Sequence, residues 1–232
     1  LVTIRDIKGS IPVFFGSGSK NAVYADQYEN RGLNGSRARI HIDQTAFPVE
    51  IPLPGEHMLY DALAAAAVGA FFGLTPAQIQ AGIREVEAVD GRSHVMRTSY
   101  YTLIDDCYNA NPISVKAALD LLSMTDNSDK SARKIAILGD MFELGAQEEA
   151  LHREVGVYAA QKGLDVVICV GKLCKSMFDG AQSVVCANST CYYFADKEAL
   201  FSEIGKIIQK GDLVLVKASH AMHFEEIIAR LS

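Results

Sequence analysis

The feature that most constrains the fold is a regular alternation of short apolar runs with helical stretches from residue 100 onward. Strand-like runs are predicted at residues 100–104, 134–138, 166–170 and 213–216, and helices at 112–124, 148–162, 197–209 and 224–231. Apolar strands separated by helices of about 10 to 15 residues are typical of a parallel sheet covered by helices on both faces. The sequence therefore predicts an α/β fold with a parallel, doubly wound sheet.

The first part of the chain has a different pattern. Apolar stretches at residues 11–15, 39–42 and 47–53 are separated by turn residues, which predicts β-hairpins, including one that turns at residues 16–19. Residues 16–20 lack the spacing of a phosphate-binding loop. An Ala-rich helix is predicted at 58–72, and Thr75 begins a second one through a capping box with Gln78. With a boundary near residues 86–91, we expect two domains, 1–88 and 89–232.

Composition excludes several classes of protein. The formal net charge is −6 and the Lys and Arg residues are scattered, so nucleic acid is not expected as a partner. No apolar run approaches the roughly 20 residues that span a bilayer, so no membrane is expected either. The five cysteines form no CxxC pair and no metal site is expected, which favours a reducing, cytoplasmic location. The strand-like start at residues 1–4, with Leu1 in place of Met, suggests a piece of a longer protein.

Polar and Gly-rich loops follow the predicted strands of the second domain. In doubly wound sheets, ligands bind beyond the carboxyl ends of the strands. Asp105 and Asp106 stand side by side after the first strand, and such paired acids repel one another unless a cation or a hydroxyl group binds there. Asn111 and Pro112 have a plain structural explanation, because Asn is common as a helix N-cap and Pro at the first position of a helix. The pair of acids is therefore a candidate functional site.

Two further loops are candidates, and each also has a purely structural explanation. Residues 139–145 are Gly-rich and lead to a helix that contains His152, which is also compatible with turn chemistry and a core histidine. Lys217, Ser219 and His220 supply a cation, a hydroxyl and an imidazole after the last strand, which suits a carboxylate or phosphate, although a lysine is usually solvated. At the expected boundary, Gly91 is a possible hinge followed by the cation of Arg92.

Taken in order, these blocks resemble the signatures of the Mur ligase family, from about residue 50 to the end. The blocks are Gly-Glu-His-Met at 55–58, Gly91-Arg92, Asp-Asp-Cys-Tyr-Asn-Ala-Asn-Pro at 105–112, Gly-Asp-Met-Phe-Glu-Leu-Gly at 139–145, His152 and residues 217–225. The blocks at 105–112 and 139–145 are similar to those of the members that add D-alanyl-D-alanine to UDP-N-acetylmuramoyl-tripeptide.

The resemblance implies an ATP-dependent amide ligase of peptidoglycan precursor synthesis that works through an acyl phosphate. Residues 1–88 would be the latter part of a central ATPase domain, and residues 89–232 a Rossmann-like carboxyl-terminal domain. ATP and Mg²⁺ are the implied cofactors of the complete enzyme, whereas the P-loop and the acid that holds Mg²⁺ would lie upstream of Leu1. The 232-residue chain alone is therefore expected to be inactive.

The resemblance also implies roles for the nucleotide-binding residues. Arg92 would reach the ATP phosphates, and Asp106 would hold the ribose hydroxyls with Asp105 beside it. His57 and Asp61, at the start of the Ala-rich helix, would lie near the adenine. Asp61 departs from the asparagine usual in the family, and because it can only accept hydrogen bonds, it can keep at most one of the two bonds to adenine.

On the acceptor side, Asn109 and Asn111 would shape the site for the incoming dipeptide. Lys217, Ser219 and His220 would meet its carboxylate, and Lys217 is counted with Arg92 and Asp106 among the catalytic candidates. The family more often has arginine in place of His220, and glycine in place of Ala218, so carboxylate recognition here departs from the usual pattern of the family.

Two alternatives stay open on the sequence alone. One is a related amide ligase, such as a folylpolyglutamate synthase or a ligase that adds a single amino acid, against which the block at 105–112 argues. The other is a non-catalytic module that binds a nucleotide or a protein partner.

Overall fold

The computed structural model describes residues 12–125, 132–184 and 189–232. The strand expected at residues 1–4, and Cys186, lie outside the described residues. The chain divides into two compact units, Leu1–Glu87 and Ala88–Ser232.

The first unit contains a four-stranded sheet in the order β1 (Phe15–Gly16), β2 (Val23–Asn30), β3 (Ser36–Ile42) and β4 (Thr45–Ile51). The strands β2, β3 and β4 are joined as antiparallel hairpins. The hairpin of β3 and β4 was predicted from the runs at 39–42 and 47–53, whereas no predicted run covers β2. The hairpin predicted at residues 16–19 is wrong, because β1 pairs with β2 in parallel. The chain forms a compact loop there instead of reversing, and the Asn21 side chain closes it by donating to the Gly18 carbonyl at 2.9 Å.

Two helices cover this sheet, α1 (His57–Phe71) and α2 (Pro76–Arg84). The predicted capping box at the start of α2 is confirmed, since the Thr75 hydroxyl accepts from the Gln78 N–H and the Gln78 side chain accepts from the Thr75 N–H. The helices and the sheet share one apolar core, whose buried members include Val23, Ile40, Val49, Leu63, Ala66, Ile79 and Ile83.

The second unit is built on a six-stranded sheet, and the predicted α/β class is confirmed. Its strands are β5 (His94–Arg97), β6 (Thr102–Asp105), β7 (Lys134–Gly139), β8 (Val166–Val170), β9 (Thr190–Phe194) and β10 (Leu213–Lys217). They lie in the order β5-β6-β10-β7-β8-β9. All neighbours are parallel except β5 and β6, so the sheet is mixed rather than purely parallel.

The helices of this unit are α3 (Pro112–Met124), α4 (Glu148–Ala160), α5 (Cys174–Gln182), α6 (Lys197–Ile207) and α7 (Glu225–Leu231). Helices α3, α4 and α5 pack side by side, whereas α6 and α7 share a core with the other side of the sheet. The connections after β6 and β7 therefore leave toward one face, and the connection after β10 leaves toward the opposite face. Such a reversal opens a crevice at the carboxyl ends of the strands.

Among the described residues, the helices are all too short or too polar to cross a bilayer. The longest, α1, has 15 residues.

Candidate functional site

A buried ion pair links the ends of two neighbouring strands in the second unit. The Lys217 ammonium lies 2.6 Å from an Asp106 carboxylate oxygen and also donates to the Asn109 carbonyl at 2.9 Å. The side chains of Lys217 and Asp106 are only 3% and 15% exposed. Because β10 lies beside β6, the last strand supplies the cation that the paired acids require. The Lys217 ammonium therefore points into the protein, and its contact with a ligand carboxylate stays a prediction.

The turn at Gly91 is held by the same two acids. The Gly91 N–H donates to Asp105, and the Ser93 N–H donates to Asp106, both at 3.0 Å. The Tyr108 N–H returns a hydrogen bond to the Gly91 carbonyl at 3.0 Å. Gly91 has a φ of 74°, and a Cβ atom there would lie 3.1 Å from the Tyr108 backbone nitrogen. Both conditions favour glycine, so this position is a fixed contact between two loops in the structure.

Cys107 is a buried thiol behind these acids. Its Sγ lies 2.9 Å from an Asp105 carboxylate oxygen, to which it donates. Burial, and then the hydrogen bond to Asp105, raise the pKa of the Cys107 thiol far above its usual range. The thiol stays protonated and completes the hydrogen bonds of Asp105, so its role here is structural.

Three exposed side chains from the loops that carry the buried pair contact one another in a row. The guanidinium carbon of Arg92 is 4.3 Å from the centre of the Tyr108 ring. The Tyr108 ring also contacts the His220 ring, with the two ring centres 5.4 Å apart and an interplanar angle of 35°. Arg92 and His220 are exposed, and Arg92 has no carboxylate partner among the described residues. A cation and an imidazole are therefore presented at this edge of the sheet.

The other predicted acceptor residues differ in how much of the side chain is free. Asn109 is exposed, and its side-chain oxygen accepts from the Ala110 N–H, which leaves its amide NH₂ group free to donate. Asn111 caps α3 by accepting from the Ser114 N–H at 2.9 Å, so only its amide nitrogen is left for a ligand. Ser219 is buried, and its hydroxyl oxygen accepts from the Phe142 N–H.

His152 holds the loop after β7 in place. It is fully buried, its Nε2 accepts from the Met141 N–H at 2.9 Å, and its Nδ1 lies 2.7 Å from the Glu148 carbonyl. Because one partner can only donate and the other can only accept, the proton is on Nδ1 and the ring is neutral. Both ring nitrogens are thus used inside the protein, which favours the structural explanation of this residue.

Asp140, His152 and Cys174 are the one group of possible metal ligands among the described residues, with their ligand atoms within 4.8 Å of one another. Asp140 already accepts from the Cys174 N–H at 2.8 Å, and both His152 nitrogens are occupied. Burial raises the pKa of the Cys174 thiol, so the thiolate that a metal needs is disfavoured. These residues fit a hydrogen-bonded core cluster better than a metal centre.

The alanine at position 218, where the family more often has glycine, has a structural explanation. Ala218 is completely buried, and its methyl group lies in the core of the second unit. A Cβ atom at Gly139 would lie 2.6 Å from this methyl group. The methyl group therefore packs against the neighbouring strand and does not alter the exposed edge where His220 lies.

The two predicted adenine residues lie in the first unit. His57 is the first residue of α1 and is exposed, and Asp61 lies one turn later, so both are on the same side of the helix. Asp61 lines a mainly apolar cavity of about 410 Å³ between α1 and α2. Both contacts with adenine stay predictions.

Tyr108 was not among the site residues predicted from the sequence. The sequence did contain a signal, because Tyr108 is an aromatic residue in a polar loop next to the paired acids and belongs to no predicted strand or helix. What could not be seen was that Arg92 and His220, 16 residues before it and 112 residues after it, both contact its ring.

Comparison with known proteins identifies the family. The family model described as Mur ligase, glutamate ligase domain, matches residues 91–220, more than half of the chain and all of the loops described for the second unit. The chain belongs to the Mur ligase family. It is 34% identical, over 94% of its length, to the UDP-N-acetylmuramoyl-tripeptide–D-alanyl-D-alanine ligase of Bacillus subtilis, and 33% identical over 85% to that of Escherichia coli. This Mur ligase chain spans 46% and 42% of the length of those two proteins.

Solved structures agree on the fold of this Mur ligase chain. A crystal structure of MurF from Acinetobacter baumannii matches with a TM-score of 0.83 and 26% identity, covering 94% of this chain and 46% of the other. MurF from Thermotoga maritima, solved with ADP, matches with a TM-score of 0.73 over 94% of this chain and 47% of its own. At 22% identity, that second similarity shows the fold alone.

Proposed function

We propose that this chain supplies the acceptor-side part of an ATP-dependent ligase that adds D-alanyl-D-alanine to UDP-N-acetylmuramoyl-tripeptide. The observation that carries the proposal is that Arg92, Asn109 and His220 are exposed on the loops that the buried Asp106–Lys217 pair joins. It is supported by the names of relatives that are 33% and 34% identical to the chain.

The described residues fit the anionic part of ATP but not Mg²⁺. The exposed Arg92 guanidinium has no competing carboxylate in the part of the chain that the structure describes, so it can bind phosphate oxygens through two donors at once. Mg²⁺ prefers several oxygen ligands, and the candidate group at Asp140 is buried and includes a protonated thiol. We propose that Mg²⁺ and the remaining phosphate contacts belong to residues outside this chain, as does the P-loop.

In the proposed reaction, an oxygen of the tripeptide carboxylate attacks the γ-phosphorus of ATP, the bond to ADP breaks, and an acyl phosphate and ADP result. The amine of D-alanyl-D-alanine then attacks the acyl carbon, the bond to phosphate breaks, and the amide forms with release of inorganic phosphate and of a proton to the solvent. Arg92 would neutralise charge on the phosphate oxygens, where a donor contributes most when it is fixed in advance. The free amide group of Asn109 and the imidazole of His220 would orient the dipeptide carboxylate.

The buried pair has a positioning role in this proposal. Lys217 and Asp106 fix the loops that carry Asn109 and Arg92, through the Asn109 carbonyl and the Ser93 N–H. Correct orientation of reacting groups accounts for a large part of the rate of bimolecular reactions at enzyme sites. Asp106 keeps further lone pairs that could accept from a ribose hydroxyl group, so the ribose contact stays part of the proposal.

The test is an assay of the complete protein encoded by the gene that contains this chain. With UDP-N-acetylmuramoyl-tripeptide, ATP and Mg²⁺, we expect phosphate release that depends on D-alanyl-D-alanine, together with a pentapeptide product in the mass spectrum. Single amino acids, including glutamate, are the matched alternative acceptors. Turnover with glutamate but not with the dipeptide would favour the alternative of a ligase that adds a single amino acid.

The isolated 232-residue chain serves as the control protein. We expect it not to hydrolyse ATP, because phosphoryl transfer depends on a positioned metal ion and phosphate cradle. Turnover by the isolated chain well above the buffer rate would contradict the division of labour proposed here.

A further inference from the structure

The aromatic ring of Tyr108 connects the two parts of the candidate site. Arg92, which is assigned to the phosphate side, lies over the ring with its guanidinium carbon 4.3 Å from the centroid. His220, which is assigned to the acceptor side, contacts the same ring at a centroid distance of 5.4 Å. These three residues come from three loops that are distant in the sequence, and Tyr108 is the member that contacts both of the others.

The Tyr108 ring is exposed, so the packing of the core does not explain why an aromatic residue stands at this position. The residue is 47% exposed, so its ring is not part of the apolar core. Its hydroxyl group has no hydrogen-bond partner in the part of the chain that the structure describes, and the backbone N–H is what ties the residue to Gly91. An exposed aromatic side chain at a ligand-binding edge, with its backbone fixed, is suited to contacts made through the faces and edges of its ring.

The contacts of Tyr108 have different physical origins. A guanidinium over an aromatic face is attracted by the negative potential of the ring, and the flat group stacks on it in a defined orientation. The His220 ring is tilted by 35° against the tyrosine ring, so the second contact is one between two aromatic rings. Both contacts restrict side chains that would otherwise sample many rotamers in water.

The backbone of the Tyr108 loop is also held from behind. Its N–H is bonded to Gly91, while the neighbouring Asp105 and Asp106 accept from the Gly91 and Ser93 N–H groups. The ring is therefore carried on a rigid support, which is the condition under which a contact residue can orient others.

We propose that Tyr108 is a positioning residue that holds Arg92 and His220 at a fixed separation and so couples the phosphate side of the site to the acceptor side. This inference rests on the proposed function and adds a residue to it. If the ring were lost, Arg92 would lose its orientation toward phosphate, and His220 would lose its orientation toward the dipeptide carboxylate, in one step.

The test compares Tyr108→Phe with Tyr108→Leu in the complete protein, by steady-state kinetics. Tyr108→Phe keeps the ring, and we expect its kcat and its KM for D-alanyl-D-alanine to stay close to those of the unaltered protein. Tyr108→Leu removes the ring, and we expect kcat to fall about tenfold and the KM for the dipeptide to rise several-fold, in line with the size of such ring contacts. A merely structural role would lower the stability of Tyr108→Leu, whereas a positioning role changes kcat and KM in a protein that is still fully folded.

Tyr100 provides the matched control. It is 59% exposed in the same unit, and Lys210 lies over its ring at 5.5 Å, so Tyr100→Leu also removes an exposed cation–aromatic contact. We expect its kinetic constants to be unchanged. Urea unfolding of each variant separates a loss of fold from a loss of positioning.

A double variant asks whether Tyr108 acts through Arg92. Arg92→Ala combined with Tyr108→Leu should have nearly the kcat of Arg92→Ala alone, because the ring then has no guanidinium to orient. Its KM for the dipeptide should still be raised, because the contact with His220 is also lost. Fully additive losses in kcat, or a Tyr108→Leu variant with unaltered kinetics, would overturn the inference. Those results leave the proposed ligase activity standing, whereas absence of dipeptide-dependent turnover in the unaltered protein counts against the proposed function itself.

Discussion

Two buried charges each need hydrogen-bond partners in place of water, and both Asp106 and Lys217 have them. The ammonium group has oxygen atoms of Asp106 and Asn109 within hydrogen-bonding distance, and the carboxylate also accepts from the Ser93 N–H. Removing charges from water is costly, so such a pair contributes less to stability than its short distance suggests. Removing one partner alone is much more costly, because the other charge stays buried.

This asymmetry gives a prediction for Lys217→Met in the 232-residue chain. We expect the free energy of unfolding to fall by about 3 to 5 kcal/mol, the usual range when one partner of a buried pair is removed. The double variant Lys217→Met with Asp106→Asn should be more stable than Lys217→Met alone, as measured by urea unfolding.

The control for this prediction is Lys206→Met, since Lys206 is paired with Glu203 on an exposed helix surface. Its effect should be within about 1 kcal/mol. Equal losses from Lys217→Met and Lys206→Met would show that the buried pair has no special importance for the fold.

Arg92→Ala is predicted to act on catalysis rather than on stability. In the complete protein, we expect kcat to fall by about a hundredfold, with a smaller change in the KM for ATP, because the contact would be made mainly in the reacting state. Arg230→Ala, which removes another exposed arginine–aromatic contact over Phe201, is the control. A normal kcat for the Arg92 variant would remove this residue from the mechanism.

At this scale the sequence predicted local chemistry better than long-range contacts. The cap formed by Asn111 and the capping box at Thr75 depend on neighbouring residues, and both are found as predicted. The partner of Asp106 is 111 residues away, and finding it requires the strand order. The inward orientation of Lys217 could therefore not be derived from its neighbours in the sequence.

Secondary-structure elements with strong apolar patterns were predicted, and those with partial burial were missed. Strands β7, β8 and β10 are almost wholly buried, so their sequences are continuous apolar runs. Strands β5 and β9 lie at the two edges of the sheet and are only partly buried, so their sequences contain no continuous apolar run. The insertion of β10 between β6 and β7 follows from packing over the whole sheet, and no local pattern encodes it.

The loop between β7 and α4 gives a prediction at the scale of an element. His152→Ala would leave the Met141 N–H and the Glu148 carbonyl without their buried partner and would open a cavity. We expect a loss of about 3 kcal/mol in the free energy of unfolding, from the lost hydrogen bonds and the cavity together. The measurement is urea unfolding of the 232-residue chain.

His223→Ala is the matched control for this loop, because His223 is exposed and contacts Glu225 at the surface. Its effect should be close to zero. If His152→Ala costs less than about 1 kcal/mol, the buried imidazole is not what holds the loop.

For the whole molecule, the two compact units give a prediction about dissection. A shortened chain that begins at Ala88 should fold on its own, since its sheet has helices on both faces and a core of its own. Cooperative unfolding in urea, and circular dichroism typical of an α/β protein, are the expected results. An insoluble product, or one without a cooperative transition, would show that the boundary or the independence of this unit is wrong.

Buried thiols predict how the stability of the molecule depends on pH. Burial raises the pKa of Cys107, Cys169 and Cys174 above the ordinary value of about 9. A group whose pKa is raised by folding contributes its full stability below the unfolded pKa and loses it as the pH rises toward the folded pKa. Stability should therefore fall as the pH increases above about 9.

Urea unfolding at pH 8, 9 and 10 measures this fall. A variant with Cys107, Cys169 and Cys174 replaced by alanine should lose less stability over the same range, although it starts from a lower value. Identical slopes for the two proteins would assign the alkaline loss to other groups, such as tyrosine and lysine side chains.

The position of β10 also has a consequence for synthesis on the ribosome. The strand fills the gap between β6 and β7, so neither of those strands can complete its ladder until translation has passed Lys217. Until then the nascent chain exposes two unpaired, apolar strand edges, which are sites of aggregation. We therefore expect this unit not to fold on the ribosome before β10 has been synthesised, and a premature stop codon before Leu213 to yield an insoluble product rather than a smaller folded domain.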